Sequence, residues 1–402
     1  MGDNIQIMIT MIVYMLVVIG IGLAFARRAN KSSEDYFLGG RTLGPWVTAM
    51  SAEASDMSGW LLMGLPGVAY WCGIADSAWT AIGLAVGTYV NWLITSKRLR
   101  RYSEKAGNAI TLPEFFSNRF HEEKKVVMTI SALFILIFFT VYAASCLVTC
   151  GKLFSTLFGF DYVPMMIVGA VFVLIYTIIG GFLAESASDF MQAVVMIIAL
   201  LVVVITGTTA AGGLGAVVDN AKSIPGFLEF FGIATPVTVD GVQQAVNGVP
   251  QFGDAGTYSI ISVLSAVAWG LGYFGMPQVL LRFMAIRSEG ELNRSRRIAI
   301  VWVLISLTVA VFIGIVGRAL YPLALTTESA SENVFIVLAT GLLPPVLAGL
   351  VMAGILAATI SSSDSYLLIA ASAFAKNIYQ GLLHKKATDK HVLLISRAAL
   401  LI

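Results

Sequence analysis

Long apolar runs separated by short charged segments form the dominant pattern of this chain. Nine runs are long enough to cross a bilayer as helices, and a tenth begins near residue 391. The pattern therefore predicts an all-α polytopic membrane protein with a single transmembrane domain over residues 1–402. The nine predicted spans are 5–26, 45–71, 75–96, 126–150, 163–183, 190–212, 258–285, 299–320 and 341–375.

Two of these spans contain residues that interrupt a helix. The second holds the polar segment 51–60, followed by Pro66 between two glycines, and the seventh holds the glycine-rich segment 269–277. Irregular backbone at membrane depth is tolerated only where it is buried in protein or lines a cavity. A pair of interrupted spans in corresponding places of two halves indicates the binding site of an inverted-repeat transporter.

The positions of the interruptions predict how the chain is divided. Residues 45–212 would form a first repeat and residues 258–402 a second, with 5–26 as an extra N-terminal helix and 213–257 as an external loop. The chain ends inside the tenth span, so we expect the second repeat to be incomplete and the C-terminal part to be missing.

Composition and charge support a membrane protein and predict its orientation. Only 12% of residues are charged and the mean hydropathy is +0.86, whereas a soluble domain carries roughly 25% charged residues. With the N-terminus outside, 22 of the 25 lysines and arginines, Arg282 among them, fall in inside loops, and Lys152, Lys222 and Arg318 fall outside. We expect a multi-pass plasma-membrane protein whose basic loops contact the cytoplasm and the lipid bilayer.

Several functional classes are excluded or disfavoured by what the sequence contains. No Walker A loop is present, so ATP is not expected to drive this protein. Topology explains the basic loops without nucleic acid, and no catalytic motif indicates an enzyme. A passive channel and a membrane sensor remain as alternatives, although nothing resembles a selectivity filter and a sensor would need an output domain.

Asp56 is the first candidate functional residue, because it lies inside the interrupted second span. A charged side chain at the bilayer centre costs about 2.5–3.5 kcal/mol, which a bound cation would offset. Asp56 could bind such an ion directly or could accept backbone N–H groups at the helix break. Glu53 could belong to the same cluster or face a water-filled path.

The ninth span carries a second polar segment, residues 357–365, with five hydroxyls and one acid. These hydroxyls would suit Na⁺, a hard cation that takes oxygen ligands, or would allow neighbouring helices to approach closely. Asp189, at the start of the sixth span, could likewise belong to an ion site or could pair with the helix dipole.

Four aromatic residues lie beside the two interruptions. Trp60, Tyr142, Trp269 and Tyr273 could pack against neighbouring helices or form the wall of a pocket. Aromatic walls with a few polar groups suit a small amphipathic solute.

At these residues the chain resembles the solute:sodium symporter family, and its proline-transporting branch in particular. The stretches that carry the resemblance extend over nearly the whole chain, and they are Arg41, 55–67, 111–113, 180–184 with Asp189, and 269–275 with Pro277. The resemblance implies a LeuT-like five-plus-five inverted repeat with an extra N-terminal helix. It also implies import of L-proline coupled to Na⁺ by alternating access.

The resemblance further implies roles for particular residues. The Na⁺ ligands would be the carbonyls of Ala54, Met57 and Ala358 and the hydroxyls of Ser361 and Ser362. Proline would lie among Trp60, Tyr142, Trp269, Tyr273, Pro277 and Gln278. Residues associated with coupling would be Arg41, Ser55, Asp56, Ser58, Gly59, Asp189 and Asp364.

Two residues depart from the family pattern. Asp364 stands where a serine is expected, and it could reach Asp189 to make a second cation or proton site. Gln278 stands where a histidine is expected, which leaves the finer solute contacts open. Another amino acid, pantothenate or, less favoured, a sugar could therefore be the solute instead of proline.

Overall fold

The computed structural model describes residues 2–29 and 31–401, and within them the side chains of residues 26–29 are left aside. Helices make up most of the chain. They are α1 Gly2–Ala29, α2 Ser33–Leu38, α3 Pro45–Met57, α4 Gly64–Cys72, α5 Ile74–Ile94, α6 Ser96–Lys105, α7 Leu112–Arg119, α8 Val126–Phe158, α9 Tyr162–Ala210, α10 Leu214–Lys222, α11 Ile260–Ala268, α12 Pro277–Ala285, α13 Leu292–Leu320, α14 Glu328–Ser331, α15 Val334–Leu342, α16 Pro345–Ser372 and α17 Asp389–Leu401.

Within the described residues, five helical segments are long and apolar enough to span a membrane, and the bent pair α11–α12 makes a sixth. The 49-residue helix α9 contains two predicted spans, which meet at Gly181. Gly181 has φ 54° and ψ −164°, a conformation open mainly to glycine. The chain therefore changes direction slightly before the predicted gap at 184–189. Helices α5 and α3–α4 also match predicted spans, but they are shorter or less apolar than these six segments.

The first predicted interruption is present between α3 and α4. Helix α3 begins with Pro45 in its first turn and ends at Met57. Ser58 follows with φ 52°, and a 3₁₀ turn at Gly59–Leu61 leads into α4. A Cβ on Gly59 would lie 2.6 Å from a side-chain carbon of Thr149, so α8 approaches this break too closely for any larger residue.

The second interruption is present between α11 and α12. Residues Trp269–Phe274 form a 3₁₀ helix, and Pro277 opens α12 in its first turn. The two helices are bent by 40° relative to each other. Helix α5 packs directly on this break, because a Cβ on Gly87 would lie 2.3 Å from the carbonyl oxygen of Gly270.

Helix α16 is the centre of the packed structure. It contacts α1, α3, α8 and α9, and nearly all of its residues are buried, including its hydroxyl-rich middle. Two broken helices and one central polar helix therefore meet inside the molecule.

The predicted external loop contains α10 and three small antiparallel sheets. Their strands are β1 Gly232–Ile233, β2 Thr238–Val239, β3 Val242–Gln243, β4 Ala245–Val246, β5 Val249–Pro250 and β6 Gly256–Thr257, paired as β1–β6, β2–β3 and β4–β5. Gln243 ties this loop to the helical domain by accepting a hydrogen bond of 2.9 Å from the guanidinium of Arg318 in α13.

Candidate functional site

A cavity of about 380 Å³ lies between the two helix breaks. Four of the six residues predicted to contact the solute line it, namely Trp60, Tyr142, Trp269 and Tyr273. The rings of Trp60 and Trp269, one from each break, lie 4.9 Å apart. Asp56, Met57, Ser58 and Gly59 line the same cavity, so polar backbone and one carboxylate face an otherwise aromatic wall.

The other two predicted solute residues do not line this cavity. Pro277 is buried at the start of α12. Gln278 is fully buried, and its amide nitrogen donates to Oδ1 of Asp56 over 2.9 Å. Gln278 therefore connects the two broken helices below the cavity.

Three residues at the cavity escaped the sequence analysis. Tyr366 of α16 stacks on Tyr142 with ring centroids 4.3 Å apart. At another edge of the cavity, the ammonium of Lys152 donates to Glu332 over 2.5 Å. Nothing local in the sequence indicates that Lys152 and Glu332 form an ion pair, because they lie 180 positions apart.

Three of the five predicted Na⁺ ligands, Ala54, Ala358 and Ser361, meet where α3 contacts α16. The hydroxyl of Ser361 donates to the carbonyl of Ala54 over 2.9 Å and to that of Ala358 over 3.2 Å. Ser362 is fully buried, and its hydroxyl has no hydrogen-bond partner among the described residues. Met57 ends α3 in the same region, next to the irregular backbone. Buried hydroxyl and carbonyl oxygens are the kind of ligand that a hard cation prefers.

Ser55 and Ser58 stabilise the break that carries these residues. The hydroxyl of Ser55 donates to the carbonyl of Ala52 over 3.2 Å. The hydroxyl of Ser58 accepts from the backbone N–H of Trp60 over 3.3 Å, which caps the 3₁₀ turn. The positive φ of Ser58 keeps the chain out of a continuous helix at this point.

Asp189 lies in a second buried polar group, which Ser51 connects to α3. Its Oδ2 accepts from Arg282 over 3.1 Å and from Ser51 over 2.7 Å. Arg282 also donates to Glu185. Asp364 lies close enough to Arg282 to interact with it electrostatically. We call Glu185, Asp189, Arg282 and Asp364 the arginine cluster.

The arginine cluster corrects one prediction and adds two residues to the site. Arg282 was assigned to an inside loop with the other basic residues, but it is fully buried in α12. The prediction was wrong because the charge count treats a basic residue near the end of a span as part of a loop. Buried acids allow Arg282 to lie inside the protein instead. Glu185 was missed too, although an acid next to a predicted span is itself a signal of function or pairing.

The arginine cluster contains more negative than positive side chains. One oxygen each of Glu185, Asp189 and Asp364 has no hydrogen-bond partner among the described residues. Asp364 uses its other oxygen to accept from the backbone N–H of Ser365 over 2.7 Å. The structure thus brings Asp189 and Asp364 into one group with the guanidinium of Arg282. A second cation or proton site at this position stays a prediction.

Arg41 lies away from the cavity, on the side that the lysine and arginine distribution predicts to be cytoplasmic. Its guanidinium donates to the carbonyls of Met284 over 2.7 Å and Ala109 over 2.9 Å. Beside it, the N–H of Leu43 donates to the carbonyl of Ala285 over 3.2 Å. These bonds hold the segment before α3 against the end of α12.

Two broken helices with a cavity between them are the arrangement expected of an inverted-repeat membrane transporter. The family model of the sodium:solute symporter family matches residues 36–402, and the chain belongs to this family. It is an integral membrane protein, in agreement with its apolar helices.

Two similar proteins are proline transporters by name. The chain is 38% identical to the sodium/proline symporter of Escherichia coli strain K12, over 100% of this chain and 76% of that protein. It is 40% identical to the high-affinity proline transporter of Bacillus subtilis strain 168, over 94% of this chain and 75% of that protein.

A solved structure has the same fold. A Na⁺-coupled sialic acid symporter in a substrate-bound outward-open state aligns with a TM-score of 0.80 at 18% identity, covering 98% of this chain and 79% of that chain. The predicted all-α, LeuT-like architecture is thereby confirmed.

Proposed function

We propose that this protein imports L-proline across the plasma membrane, coupled to Na⁺ by alternating access. The observation that carries the proposal is the aromatic cavity between two broken helices, placed directly beside buried oxygens suited to Na⁺. Relatives of known name at 38% and 40% identity, both proline transporters, favour proline over another amino acid or pantothenate.

In this proposal, Na⁺ binds to the carbonyls of Ala54, Met57 and Ala358 and to the hydroxyls of Ser361 and Ser362. Ser361 would turn its hydroxyl from the Ala54 carbonyl towards the ion. The ion would join α3 to α16 and order the break that forms one wall of the cavity. Each ligand then raises the affinity for the other, because coupling between two binding sites is reciprocal.

The solute would lie against Trp60, Tyr142, Trp269 and Tyr273, with its ring on the aromatic faces. Pro277 and Gln278 would act from below, by fixing where α12 begins and how Asp56 is oriented. Asp56 would couple the two ligands, because it lines the cavity and lies in the last turn of the helix that would hold Na⁺.

In alternating access, the cytoplasmic end and the outer end of the site would open in turn. The bonds of Arg41 and Leu43 to α12 close the end proposed to be cytoplasmic, and the Lys152–Glu332 ion pair lies at the proposed outer side of the cavity. The helices 45–212 and 258–402 would be the two repeats that move against each other, with residues 5–26 and 213–257 outside them.

We assign the arginine cluster a structural role in this cycle. Arg282 already supplies a positive charge to Asp189 and Glu185, so it would anchor α12 to α9. The alternative role is a second cation or proton site, in which the unpartnered oxygen of Asp364 would be a ligand.

The driving force is sufficient for accumulation without ATP. One Na⁺ crossing about 100 mV supplies roughly 2.3 kcal/mol. A tenfold concentration gradient adds about 1.4 kcal/mol. Together these support a proline gradient of several hundredfold.

The test is uptake of labelled L-proline into proteoliposomes with an inward Na⁺ gradient, compared with K⁺ or choline. We expect uptake that requires Na⁺ and that excess unlabelled proline abolishes. Na⁺-dependent uptake of another solute, with no competition by proline, would overturn the choice of solute. Proline uptake that ignores Na⁺ would overturn the coupling.

A further inference from the structure

A cleft of about 570 Å³ lies at the end of the molecule that the lysine and arginine distribution predicts to be cytoplasmic, and it shares no residue with the cavity described above. Helix α6, the end of α7 and the loop after α12 contribute its side chains. They comprise four cations, one tyrosine and one acid, namely Lys97, Arg98, Arg101, Arg119, Tyr102 and Glu289. We call these six residues the basic cleft.

The acid of the basic cleft balances only one of its four cations. Arg101 donates to both carboxylate oxygens of Glu289, from Nε over 3.0 Å and from Nη2 over 2.6 Å. Lys97, Arg98 and Arg119 have no ion-pair partner in the part of the chain that the structure describes. Three cationic side chains therefore line one cleft without an acid to balance them, and an anion would supply the missing charge.

The basic cleft begins where an exposed apolar helix surface ends. Thr95, between α5 and α6, has helical dihedral angles of φ −89° and ψ −43°, so the two helices continue as one. Leu93 and Ile94, at the end of α5, are 48% and 45% exposed. Lys97 and Arg98 follow them by four residues each, which places them on the same helix face. Along this face, apolar surface changes to positive charge within about one helical turn.

The other side of the basic cleft also adjoins exposed apolar surface. Arg119 ends α7, and its guanidinium lies 5.5 Å from the ring centroid of Tyr102. Phe120, the next residue, is 68% exposed, and Tyr102 is 42% exposed. Helix α8 begins a few residues later at Val126, which is 50% exposed. Exposed aromatic rings are typical of the membrane–water interface, so the cleft lies at the level of the lipid headgroups.

We propose that the basic cleft binds the phosphate of an anionic phospholipid from the inner leaflet. Lysines and arginines at the cytoplasmic end of a membrane helix attract anionic headgroups, and the guanidinium geometry suits phosphate. A lipid is favoured over a soluble phosphate compound, because its acyl chains would lie on the exposed surface around Leu93 and Ile94. The inference is independent of which solute and which ion the protein transports.

The test is binding of dioleoyl phosphatidylglycerol to the purified protein in detergent, counted per molecule by native mass spectrometry. The zwitterionic dioleoyl phosphatidylcholine is the reference lipid. We expect one phosphatidylglycerol to bind more tightly than the reference. Each of the variants Lys97→Gln, Arg98→Gln and Arg119→Gln should weaken that binding about fivefold. Equal binding of the two lipids would overturn the site. Displacement of the lipid by inorganic phosphate, beyond that by chloride at equal ionic strength, would overturn the choice of a lipid.

Matched variants separate the basic cleft from the general charge of this surface. Arg294→Gln removes the same charge from an exposed residue of α13 outside the cleft, and we expect unchanged lipid binding. Glu289→Gln removes the acid of the cleft and frees Arg101, so lipid binding should become about fivefold tighter. Glu291→Gln is its control, because Glu291 pairs with Arg287 outside the cleft. Equal weakening by Arg294→Gln, or weaker binding after Glu289→Gln, would overturn the proposal.

Discussion

Two groups of buried acids contact helix α3 or its neighbours, and they differ in where their positive charge comes from. The arginine cluster contains its own cation, Arg282, which donates to Glu185, Asp189, Ser51 and Ser365. The second group is Glu53 and Asp56 of α3, which we call the carboxylate pair. Within the described residues it accepts hydrogen bonds from the neutral donors Trp92 and Gln278, and Asp56 lines the cavity. A tethered guanidinium cannot leave during transport, whereas an ion bound from solution can.

This difference predicts which group of acids matters most for folding and which matters most for transport. A buried acid with a built-in partner holds helices together in every step of the cycle. A buried acid without one changes its energy whenever an ion arrives or departs. We therefore expect substitutions in the arginine cluster to affect folding most and substitutions in the carboxylate pair to affect transport most.

The largest effect is expected from Arg282→Met. Removing one partner of a buried ion pair typically costs about 3–5 kcal/mol, because the remaining charges are left unpaired. We expect little folded protein, measured by monodispersity in size-exclusion chromatography and by thermal unfolding.

Arg297→Met is the matched control for this substitution. Arg297 is exposed on α13, so its loss should leave the thermal unfolding unchanged. An Arg282→Met protein that melts together with the control would contradict the structural role of the arginine cluster.

Asp56→Asn should give the opposite outcome, a folded protein that does not transport. The asparagine oxygen can still accept from Gln278, and no buried cation loses its partner. We expect Na⁺-driven proline uptake to fall to background while the melting temperature stays at or above that of the unmodified protein. Normal uptake at low Na⁺ would remove Asp56 from the coupling mechanism.

Ser362→Ala should weaken Na⁺ binding at the proposed Na⁺ site while the protein stays folded. Hydrogen bonds and contacts to charged groups are worth about 1.5–3 kcal/mol, so the half-saturating Na⁺ concentration should rise about tenfold or more. Ser363→Ala is the control, because its hydroxyl bonds to the carbonyl of Thr359 in its own helix over 2.6 Å. A rise of the same size in both variants would show a general packing effect.

The smallest effect is expected from Trp269→Leu. The ring of Trp269 packs on Trp60, and an aromatic pair contributes about 0.5–1.5 kcal/mol beyond its buried area. We expect a severalfold higher half-saturating proline concentration with the Na⁺ dependence unchanged. If the Na⁺ dependence shifts instead, this ring belongs to the ion-linked part of the site.

The two breaks could be predicted from the sequence because their causes are local. Glycine, proline and serine weaken a helix wherever they occur, so the segments 51–60 and 269–277 identified both breaks before the fold was known. The four cavity aromatics were predicted for the same reason, since each lies beside or opposite a break. Their roles as ligands stay predictions until binding is measured.

The partners of Arg282 could not be predicted, because they depend on how distant helices pack. Arg282 and Glu185 are 97 positions apart, and no periodicity links them. Gln278 was expected in the solute pocket from the family resemblance. In the structure its side chain contacts Asp56, after the bend that precedes Pro277.

The most direct test of the account is the number of Na⁺ ions that move with each proline. Proteoliposomes held at zero membrane potential with a tenfold Na⁺ gradient would be brought to the proline ratio at which net flux stops. The single proposed Na⁺ site predicts a ratio of about tenfold, because a tenfold Na⁺ gradient contributes about 1.4 kcal/mol per ion. A ratio close to one would mean that Na⁺ does not drive proline and would contradict the coupling.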